Sequence, residues 1–364
     1  MPYRHGRSTA LNIDSHMHVN FKGLDAGGIV SYLDREGLNK CWLLTWEEVA
    51  PKAPVYMHLS ADEMFDAYRR FPDRVCPMYA PDPAASDAAD KFMAWVDKGV
   101  CGCGELKTSL PWDSPKLDRL LEKVNALGMP LVFHMESGGP RYALGDNGFE
   151  KLMAKMLNTP RYLGYPRKVI NFLENVYAPL REKKEKMRCD FPGYMTDFAA
   201  LETRIRQFPR IKFIGHGPLF WEGISLEGTT EGVLPRGRVI AGGITARLMD
   251  EYDNLHADLS GYSGYRALTR DPGFARQFII RHSGKVLYGT DNFFLGLKRF
   301  LESLKLPEDC ARRIYGENAL RIAGEGGGLS EPTKRLNTQG TSSHTGSASG
   351  WARPDTYDTV FRED

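Results

Sequence analysis

The sequence predicts an α/β protein, and within that class a (β/α)8 TIM barrel with a long insertion after strand 5. Three observations predict this fold: eight short β-rich runs, amphipathic helical stretches between them, and coordinating side chains where several runs end. Strands that alternate with helices indicate a parallel sheet, and eight such units favour a closed barrel over an open doubly wound sheet. The runs are 12–19, 40–46, 74–80, 100–107, 129–135, 212–217, 255–260 and 285–290.

Several intervening stretches carry helix boundary signals. Ser60 begins a capping box, and Pro72 stands just past the helix that this box predicts. Ser114 can cap another helix, which has an apolar stripe and Gly128 at its exit. The same apolar spacing returns at 198–208. These signals place helices between the predicted strands.

Composition excludes several classes of protein. Of 364 residues, 42% are hydrophobic and 26% are charged, which is enough apolar content for a sizeable core. A net charge of +2 gives no electrostatic footprint for nucleic acid, and no apolar run approaches the roughly 20 residues that span a bilayer. Six cysteines show no disulfide framework. We therefore expect a soluble cytoplasmic protein that acts on a small-molecule substrate, without nucleic-acid or membrane partners.

Two stretches depart from the strand-helix repeat. The predicted barrel spans 10–323, and an insertion at about 136–195 interrupts it with an aromatic and basic segment. Such an insertion either covers the active face or pads the surface, and the covering role is favoured. The tail 324–364 is rich in Ser, Thr and Gly, which predicts disorder.

The sharpest local signal is a His-x-His pair in the first strand. His16 and His18 share one face of that strand, roughly 7 Å apart at the backbone, which suits two nitrogen ligands of one divalent ion. Two hydrogen-bonded structural histidines are the alternative. Asp14 lies on the same face, where it supports a ligand or bonds to the backbone.

Other strands also end in coordinating or titratable residues. His134 closes the fifth run, His216 the sixth and Asp291 the eighth, while Glu105 lies near the end of the fourth. Because the carboxyl ends of all strands in a parallel barrel meet at one rim, residues far apart in the chain converge there. The set therefore indicates a metal or catalytic site more strongly than any one of its members.

Five motifs together resemble the amidohydrolase superfamily. They are Asp-Ser-His-Met-His at 14–18, Phe-Ile-Gly-His-Gly-Pro at 213–218, Ala-Asp-Leu-Ser-Gly at 257–261, Tyr-Gly-Thr-Asp-Asn at 288–292 and Ile-Tyr-Gly-Glu-Asn-Ala at 314–319. The most similar branch is the amidohydrolase-related group, which includes aminocarboxymuconate-semialdehyde decarboxylase and lactone hydrolases. The resemblance implies a metal-dependent barrel, often dimeric, with His16, His18, His134 and Asp291 as ligands. It also implies that His216 either assists chemistry beside the metal or is itself a ligand.

The fourth strand leaves its ligand open. Some superfamily members use a fourth-strand carboxylate and others a carbamylated lysine. Glu105 is favoured because it needs no modification, and Lys107 becomes a substrate-anion binder, the alternative bridge or an ion-pair partner of Glu105. Cys103 is predicted to be a packed thiol and not a ligand. The number of ions, one or two, depends on which of these side chains bridges.

Histidines away from the rim are predicted to be structural or exposed. His256 begins the seventh strand and is interpreted as structural, whereas the role of Asp258 stays open. His5, His58, His282 and His344 lie outside strand ends and are expected to be exposed.

These residues favour a metal-dependent hydrolase. Zinc is preferred over manganese, iron or nickel, and the bound ion activates water against a carbonyl of an amide, lactone or ester-like bond. Asp291 would move the proton, and His216 would stabilise the developing negative charge. Arg141 and Tyr142, just past the fifth strand, are expected to bind a small anionic substrate together with Lys107.

Two alternatives remain open at this stage. One is a metal-dependent non-oxidative decarboxylase of an aromatic or muconate-type acid on the same barrel. The other is a catalytically inactive barrel that acts as a binding module, although every expected ligand position is filled.

Overall fold

The computed structural model describes residues 11–21, 24–47, 59–142, 188–226, 237–293 and 296–324, with the side chains of 140–142 and 188–190 excepted. Eight parallel strands lie within the eight predicted runs and are shorter than those runs. They are β1 Ile13–Met17, β2 Lys40–Leu44, β3 Val75–Met78, β4 Cys103–Leu106, β5 Pro130–His134, β8 Lys212–His216, β9 Leu255–Asp258 and β10 Val286–Leu287. Between β5 and β8, β6 Gly139–Tyr142 pairs antiparallel with β7 Arg188–Phe191.

The eight parallel strands close into a cylinder. Their ladders run in the orders β1-β2-β3 and β10-β9-β8-β5-β4. Backbone hydrogen bonds join the two sheets at both edges: Cys101 N donates to Pro77 O at 2.9 Å, and Ser15 N donates to Tyr288 O at 2.8 Å. The predicted (β/α)8 barrel is therefore confirmed.

Helices follow the strands as the boundary signals predicted. In the described residues they are α1 Ala26–Glu36, α2 Ala61–Arg70, α3 Ala88–Asp97, α4 Asp118–Leu127, α5 Phe198–Gln207, α6 Pro218–Glu222, α7 Ile244–Glu251, α8 Gly261–Thr269, α9 Pro272–Arg281, α10 Leu297–Ser303, α11 Glu308–Arg312 and α12 Asn318–Gly324. The Ser60 side chain caps α2 by accepting from Glu63 N, and Gly128 ends α4 in the left-handed conformation. No described helix has the length and apolar character needed to cross a bilayer.

Within the described residues, the apolar core has two parts. Most buried side chains fill the layer between the strands and the surrounding helices. A smaller cluster fills the barrel interior and includes Trp42, Val132 and Ile214 from the strands. Ala319 and Ile322 of α12 complete this inner cluster together with Ile13 at the start of β1. The buried His16, His18, Glu105, His134 and His216 lie at the opposite, carboxyl end, whereas the buried His256 lies near the amino end of β9.

Two expectations about the framework are wrong. Cys76 and Cys101 form a disulfide with a Cα–Cα distance of 6.5 Å, although no disulfide was expected. Their sequence spacing gives no hint of the pairing, because it depends on β3 lying beside the chain that enters β4. His282, expected to be exposed, is 4% exposed because it lies at the end of α9 against Phe278.

The insertion after β5 is described only at its two ends. Glu136 and Tyr194 form an antiparallel bridge, and the β6–β7 pair extends it. Residues 143–187 and the tail from 325 onward lie outside the described residues, as do His5, His58 and His344. The covering role of the insertion and the disorder of the tail stay predictions.

Candidate metal centre

The His-x-His pair of β1 points into the carboxyl end of the barrel. His16 and His18 are fully buried, and their Nε2 atoms lie 3.1 Å apart. Alternation along the strand places both side chains on the interior face. The predicted convergence of these two nitrogens is therefore present in the structure.

Hydrogen bonds at the other ring nitrogens fix both imidazoles. His16 Nδ1 donates to Asp258 Oδ2 at 2.5 Å, and His18 Nδ1 donates to the Leu44 carbonyl at 2.8 Å. A neutral histidine that donates from Nδ1 carries a lone pair on Nε2. Two such lone pairs 3.1 Å apart repel each other unless a cation or a proton lies between them.

Glu105 joins two groups of histidines. Its Oε2 lies 3.6 Å from His16 Nε2 and 3.5 Å from His18 Nε2. Its Oε1 lies 2.7 Å from His134 Nδ1 and 3.8 Å from His216 Nε2. Oε2 is buried without a hydrogen bond of acceptable geometry, although Lys107 Nζ is 3.0 Å away. The two oxygens of one carboxylate thus face two adjacent sets of histidine nitrogen atoms.

Asp291 contributes a carboxylate from the opposite wall. Its Oδ1 lies 3.1 Å from His18 Nε2, and its Oδ2 lies 4.0 Å from His216 Nε2. Its side chain is 16% exposed, whereas those of Glu105 and His18 are at most 1% exposed. The residue has a φ of 54°, in the left-handed region, where the chain turns after β10. Asp291 is therefore the carboxylate of the cluster that faces solvent.

His134 and His216 complete the cluster in different ways. His134 lies between two carboxylates, with Nε2 3.2 Å from Glu136 Oε2 in addition to its Glu105 contact. His216 Nδ1 lies 2.9 Å from the Ser260 hydroxyl, which itself donates to Asp258 at 2.7 Å. Because the serine proton goes to Asp258, His216 Nδ1 donates and its Nε2 is left as an acceptor.

The donor set fits a divalent metal ion. Among the residues that the structure describes, three groups have ligand atoms close enough to hold one: His16, His18 and Glu105; His16, His216 and Asp258; and Glu105, His134 and His216. The buried Glu105 Oε2 without a hydrogen bond and the facing Nε2 atoms are what a cation would satisfy. Imidazole and carboxylate donors suit zinc, manganese, iron and nickel.

Burial and neighbouring charges set the protonation of the cluster. Burial opposes ionisation of Glu105, but Lys107 and His134 hold the pKa of Glu105 well below its usual value. Burial alone would lower the pKa of His16, yet Asp258 and Glu105 raise it. Burial and the neighbouring His16 lower the pKa of His18. The cluster thus combines ionised carboxylates with imidazoles, which favours a cation.

Asp14 has a structural role at the base of the site. It accepts hydrogen bonds from Thr290 Oγ1 at 2.7 Å, Thr290 N at 3.0 Å and Tyr32 at 3.2 Å. Burial raises its pKa to about 7. Of the two roles considered for Asp14, the structure shows bonding to the backbone and to hydroxyl groups, which ties β1 to the loop after β10.

Lys107 lies between Glu105 and the ring of Trp46. Its Nζ is 3.4 Å from the centroid of the Trp46 ring and pairs with Glu105. Trp46 also packs edge-on against His18. The ion pair with Glu105, one of the alternatives for Lys107, is therefore present. The side chains of Arg141 and Tyr142 lie outside the described residues, so their substrate role stays a prediction.

Three site residues escaped the sequence analysis. Glu136 follows His134 at the same i, i+2 spacing as the His-x-His pair, which was a usable signal. Trp46 ends the second predicted strand, so its position at the rim could have been inferred. Ser260 gives no signal of its own, because its importance comes from contact with His216 across the barrel.

Comparison with known proteins identifies the family. An amidohydrolase family model matches residues 13–324, so the chain belongs to the amidohydrolase family. No curated protein matches it significantly. The family assignment confirms the resemblance found in the motifs.

Solved structures share the fold at low sequence identity. A candidate 2-pyrone-4,6-dicarboxylic acid hydrolase from Pseudomonas putida is 11% identical, with 87% of this chain and 99% of that chain covered and a TM-score of 0.50. An uncharacterized TIM-barrel protein from Bordetella bronchiseptica is 15% identical, with 83% of each chain covered and a TM-score of 0.49. A 5-carboxyvanillate decarboxylase from Novosphingobium aromaticivorans, complexed with manganese, is 12% identical, with 87% and 96% covered and a TM-score of 0.48. These similarities concern the fold alone.

Proposed function

We propose that this protein is a metal-dependent hydrolase that directs water at a carbonyl group of a small anionic substrate, in an amide, lactone or ester-like bond. The observation that carries the proposal is the position of Glu105, whose two oxygens face two sets of histidine nitrogens. The motifs resemble the branch that includes aminocarboxymuconate-semialdehyde decarboxylase, in which this strand is not a source of ligands, so a fourth-strand carboxylate mildly favours hydrolysis. The family includes enzymes of both kinds, and the reaction is therefore the part that needs testing.

In the proposed metal centre, some residues would hold an ion and another would move a proton. His16, His18 and Glu105 would hold the ion, with His134 and His216 beside them. A divalent ion of this kind, for which we favour zinc, supplies Lewis acidity and makes a nearby water more acidic. Asp258 orients His16, and the Leu44 carbonyl orients His18, so both Nε2 atoms are in place before substrate arrives.

Asp291 is the proton carrier in this proposal. Its carboxylate is the most exposed of those in the cluster whose contacts are described, and its Oδ1 already lies beside His18. Oδ2 would accept a proton from the attacking water and later deliver it to the leaving group. His216 Nε2, on the other side of the site, would have to carry a proton in addition to the one on Nδ1 to stabilise negative charge on the carbonyl oxygen, so His216 would act there as an imidazolium.

Lys107 gives the substrate preference. A cation that is 5% exposed, beside the face of Trp46, attracts a carboxylate group of a substrate more strongly than an exposed lysine would. Arg141 and Tyr142 are proposed to extend the same subsite. The proposal therefore favours a substrate with a carboxylate near the bond that breaks.

The test compares two aspartate variants over a panel of carboxylate-bearing lactones and amides. Asp291→Asn should lower turnover by about 10²- to 10⁴-fold, the usual contribution of a general acid–base group. Asn also tolerates the left-handed backbone conformation of this residue, so the fold should be kept. Asp253→Asn, at a fully exposed aspartate, is the matched control and should leave turnover unchanged.

Product analysis decides between the reactions. Hydrolysis predicts ring opening or amide cleavage with incorporation of one oxygen atom from ¹⁸O-labelled water and no release of carbon dioxide. Release of carbon dioxide from aromatic or muconate-type acids would instead establish the decarboxylase. A metal-loaded protein that turns over neither class, or an Asp291→Asn variant as active as wild type, would contradict the proposal.

A further inference from the structure

A polar cleft lies at the amino end of the barrel, away from the metal centre. It has a volume of about 480 Å³, within the usual range of ligand pockets, and lies where the strands β9 and β10 begin. Its lining includes His256, His282, Lys285, Arg313 and Arg321. None of the side chains of the metal centre lines it.

His256 is the unusual member of this lining. It is 1% exposed, and within the described part of the chain neither ring nitrogen has a hydrogen-bond partner of acceptable geometry. The backbone of Lys285 acts to raise the pKa of this imidazole, but burial, the largest cause, lowers it to about 3. A buried imidazole without hydrogen bonds costs stability. A ligand that accepts a hydrogen bond in the cleft would recover part of that cost.

The cleft carries an excess of positive charge. Its lining has four cationic side chains, Arg281, Lys285, Arg313 and Arg321, and two carboxylates, Asp250 and Asp253. Arg281 forms a bidentate ion pair with Asp250, in which Nε donates to Oδ1 at 2.6 Å and Nη2 donates to Oδ2 at 2.9 Å.

The remaining cations are less completely neutralised. Lys285 bonds to the Met249 and Tyr252 carbonyls and pairs with Asp253, which is fully exposed. Arg321 donates to the Gly284 carbonyl, which carries no charge. Arg313 pairs with Asp309 at 3.4 Å, and both side chains are about half exposed. Exposed ion pairs are weak, so the cleft keeps a positive potential.

We propose that this cleft binds a small organic phosphate at the amino end of the barrel, independently of the metal centre. Guanidinium groups match phosphate oxygens through paired hydrogen bonds, and Arg313 and Arg321, neither of which forms a buried ion pair among the described residues, line the cleft. His256 supplies a further donor from the buried side. The volume exceeds what inorganic phosphate needs, which leaves room for an organic group.

The experiment is calorimetric titration of the purified full-length chain with inorganic phosphate, with glucose 6-phosphate and with glucose as the uncharged control. We expect saturable binding of both phosphates at one site and none of glucose. Arg321→Gln should weaken binding at least about tenfold, since a hydrogen bond to a charged group contributes that much. Arg321 is exposed, so this variant should fold. Arg276→Gln removes a charge from α9 outside the cleft and should bind phosphate as wild type does.

Two further measurements separate this site from the metal centre. Treatment with a chelator should leave phosphate binding intact, because no metal ligand lines the cleft. His256→Gln should also weaken binding, and the ¹⁵N resonances of His256 should shift when phosphate is added to wild type. The proposal is overturned by an absence of saturable binding, by binding that disappears on chelation, or by equal effects of Arg321→Gln and Arg276→Gln.

Discussion

The two ends of the barrel bury histidines in opposite electrostatic surroundings. At the carboxyl end, His16 and His216 lie among the carboxylates Glu105, Asp258 and Asp291. At the amino end, His256 lies near Arg321 and Lys285, which lower its pKa further than burial alone. We therefore propose that buried histidines belong to a cation site at one end and to an anion site at the other.

The difference concerns two properties of a buried histidine, its burial and the hydrogen bonds of its two ring nitrogens. At the carboxyl end, each Nδ1 of His16 and His18 donates to a fixed acceptor, so the Nε2 atoms converge with their lone pairs available. At the amino end, both nitrogens of His256 lack such partners. Hydrogen bonding at one nitrogen, and not burial alone, prepares the other nitrogen to bind a metal.

The largest effect should follow the loss of a nitrogen at the carboxyl end. His18→Gln removes one of the two facing Nε2 atoms, so metal affinity should fall by more than about 100-fold, and turnover with it. Metal content after dialysis, measured by mass spectrometry, tests this. His282→Gln is the control, because it replaces a buried histidine outside the metal centre and should leave metal content unchanged.

A smaller loss is expected when the support of a ligand is removed. Asp258→Asn weakens the acceptor for His16 Nδ1 but leaves every proposed ligand in place. Such changes typically lower metal affinity by about 10- to 100-fold. Competition with a chromophoric chelator measures the affinity, and Asp253→Asn, just before β9 and fully exposed, is the matched control. An affinity equal to that of wild type would show that Asp258 does not support the metal site through His16.

A substitution near the amino end of the barrel should lower the free energy of unfolding and leave the metal centre unchanged. Ile322→Ala opens a cavity in the cluster that fills the barrel interior, and we expect the free energy of unfolding to fall by about 2–5 kcal/mol. Leu320→Ala, on the same helix but only partly buried, should cost less. Urea unfolding measures both. If Ile322→Ala lost its metal while still folded, the two ends would not be independent.

The last effect concerns pH. Burial lowers the pKa of His282 from 6.5 to about 4, so between these values the unfolded chain binds a proton that the folded chain does not. Unfolding is therefore favoured as the pH falls from 6.5 toward 4, and this contribution to stability is fully present only above 6.5. The urea midpoint of wild type should fall relative to that of His282→Gln over this interval. A constant difference between the two midpoints would contradict the assigned pKa.

The sequence predicted the barrel well because its strands repeat one local pattern. All eight parallel strands lie within the predicted runs, and the Ser60 and Gly128 boundary signals act as expected. The cluster at the rim followed from one topological rule, which brings His16, His134 and Asp291 to the same end. The rule does not say which atoms come into contact. The position of Glu105 between His16 and His134 could therefore be seen only in the structure.

Contacts between distant segments account for what the sequence left out. The Cys76–Cys101 disulfide and the hydrogen bond of Ser260 to His216 arise only when neighbouring strands align. His282 looked like a surface residue because its burial depends on packing at the end of α9. The cytoplasmic location, the homodimer and the absence of nucleic-acid and membrane partners stay predictions.

The most direct test of the metal centre is an anomalous-scattering map from crystals of the protein grown with zinc or manganese. We expect a peak about 2.0–2.3 Å from the Nε2 atoms of both His16 and His18, with Glu105 Oε2 turned toward it. Crystals that hold the metal at full occupancy elsewhere, or that show His16 and His18 bonded only to protein, would contradict this expectation.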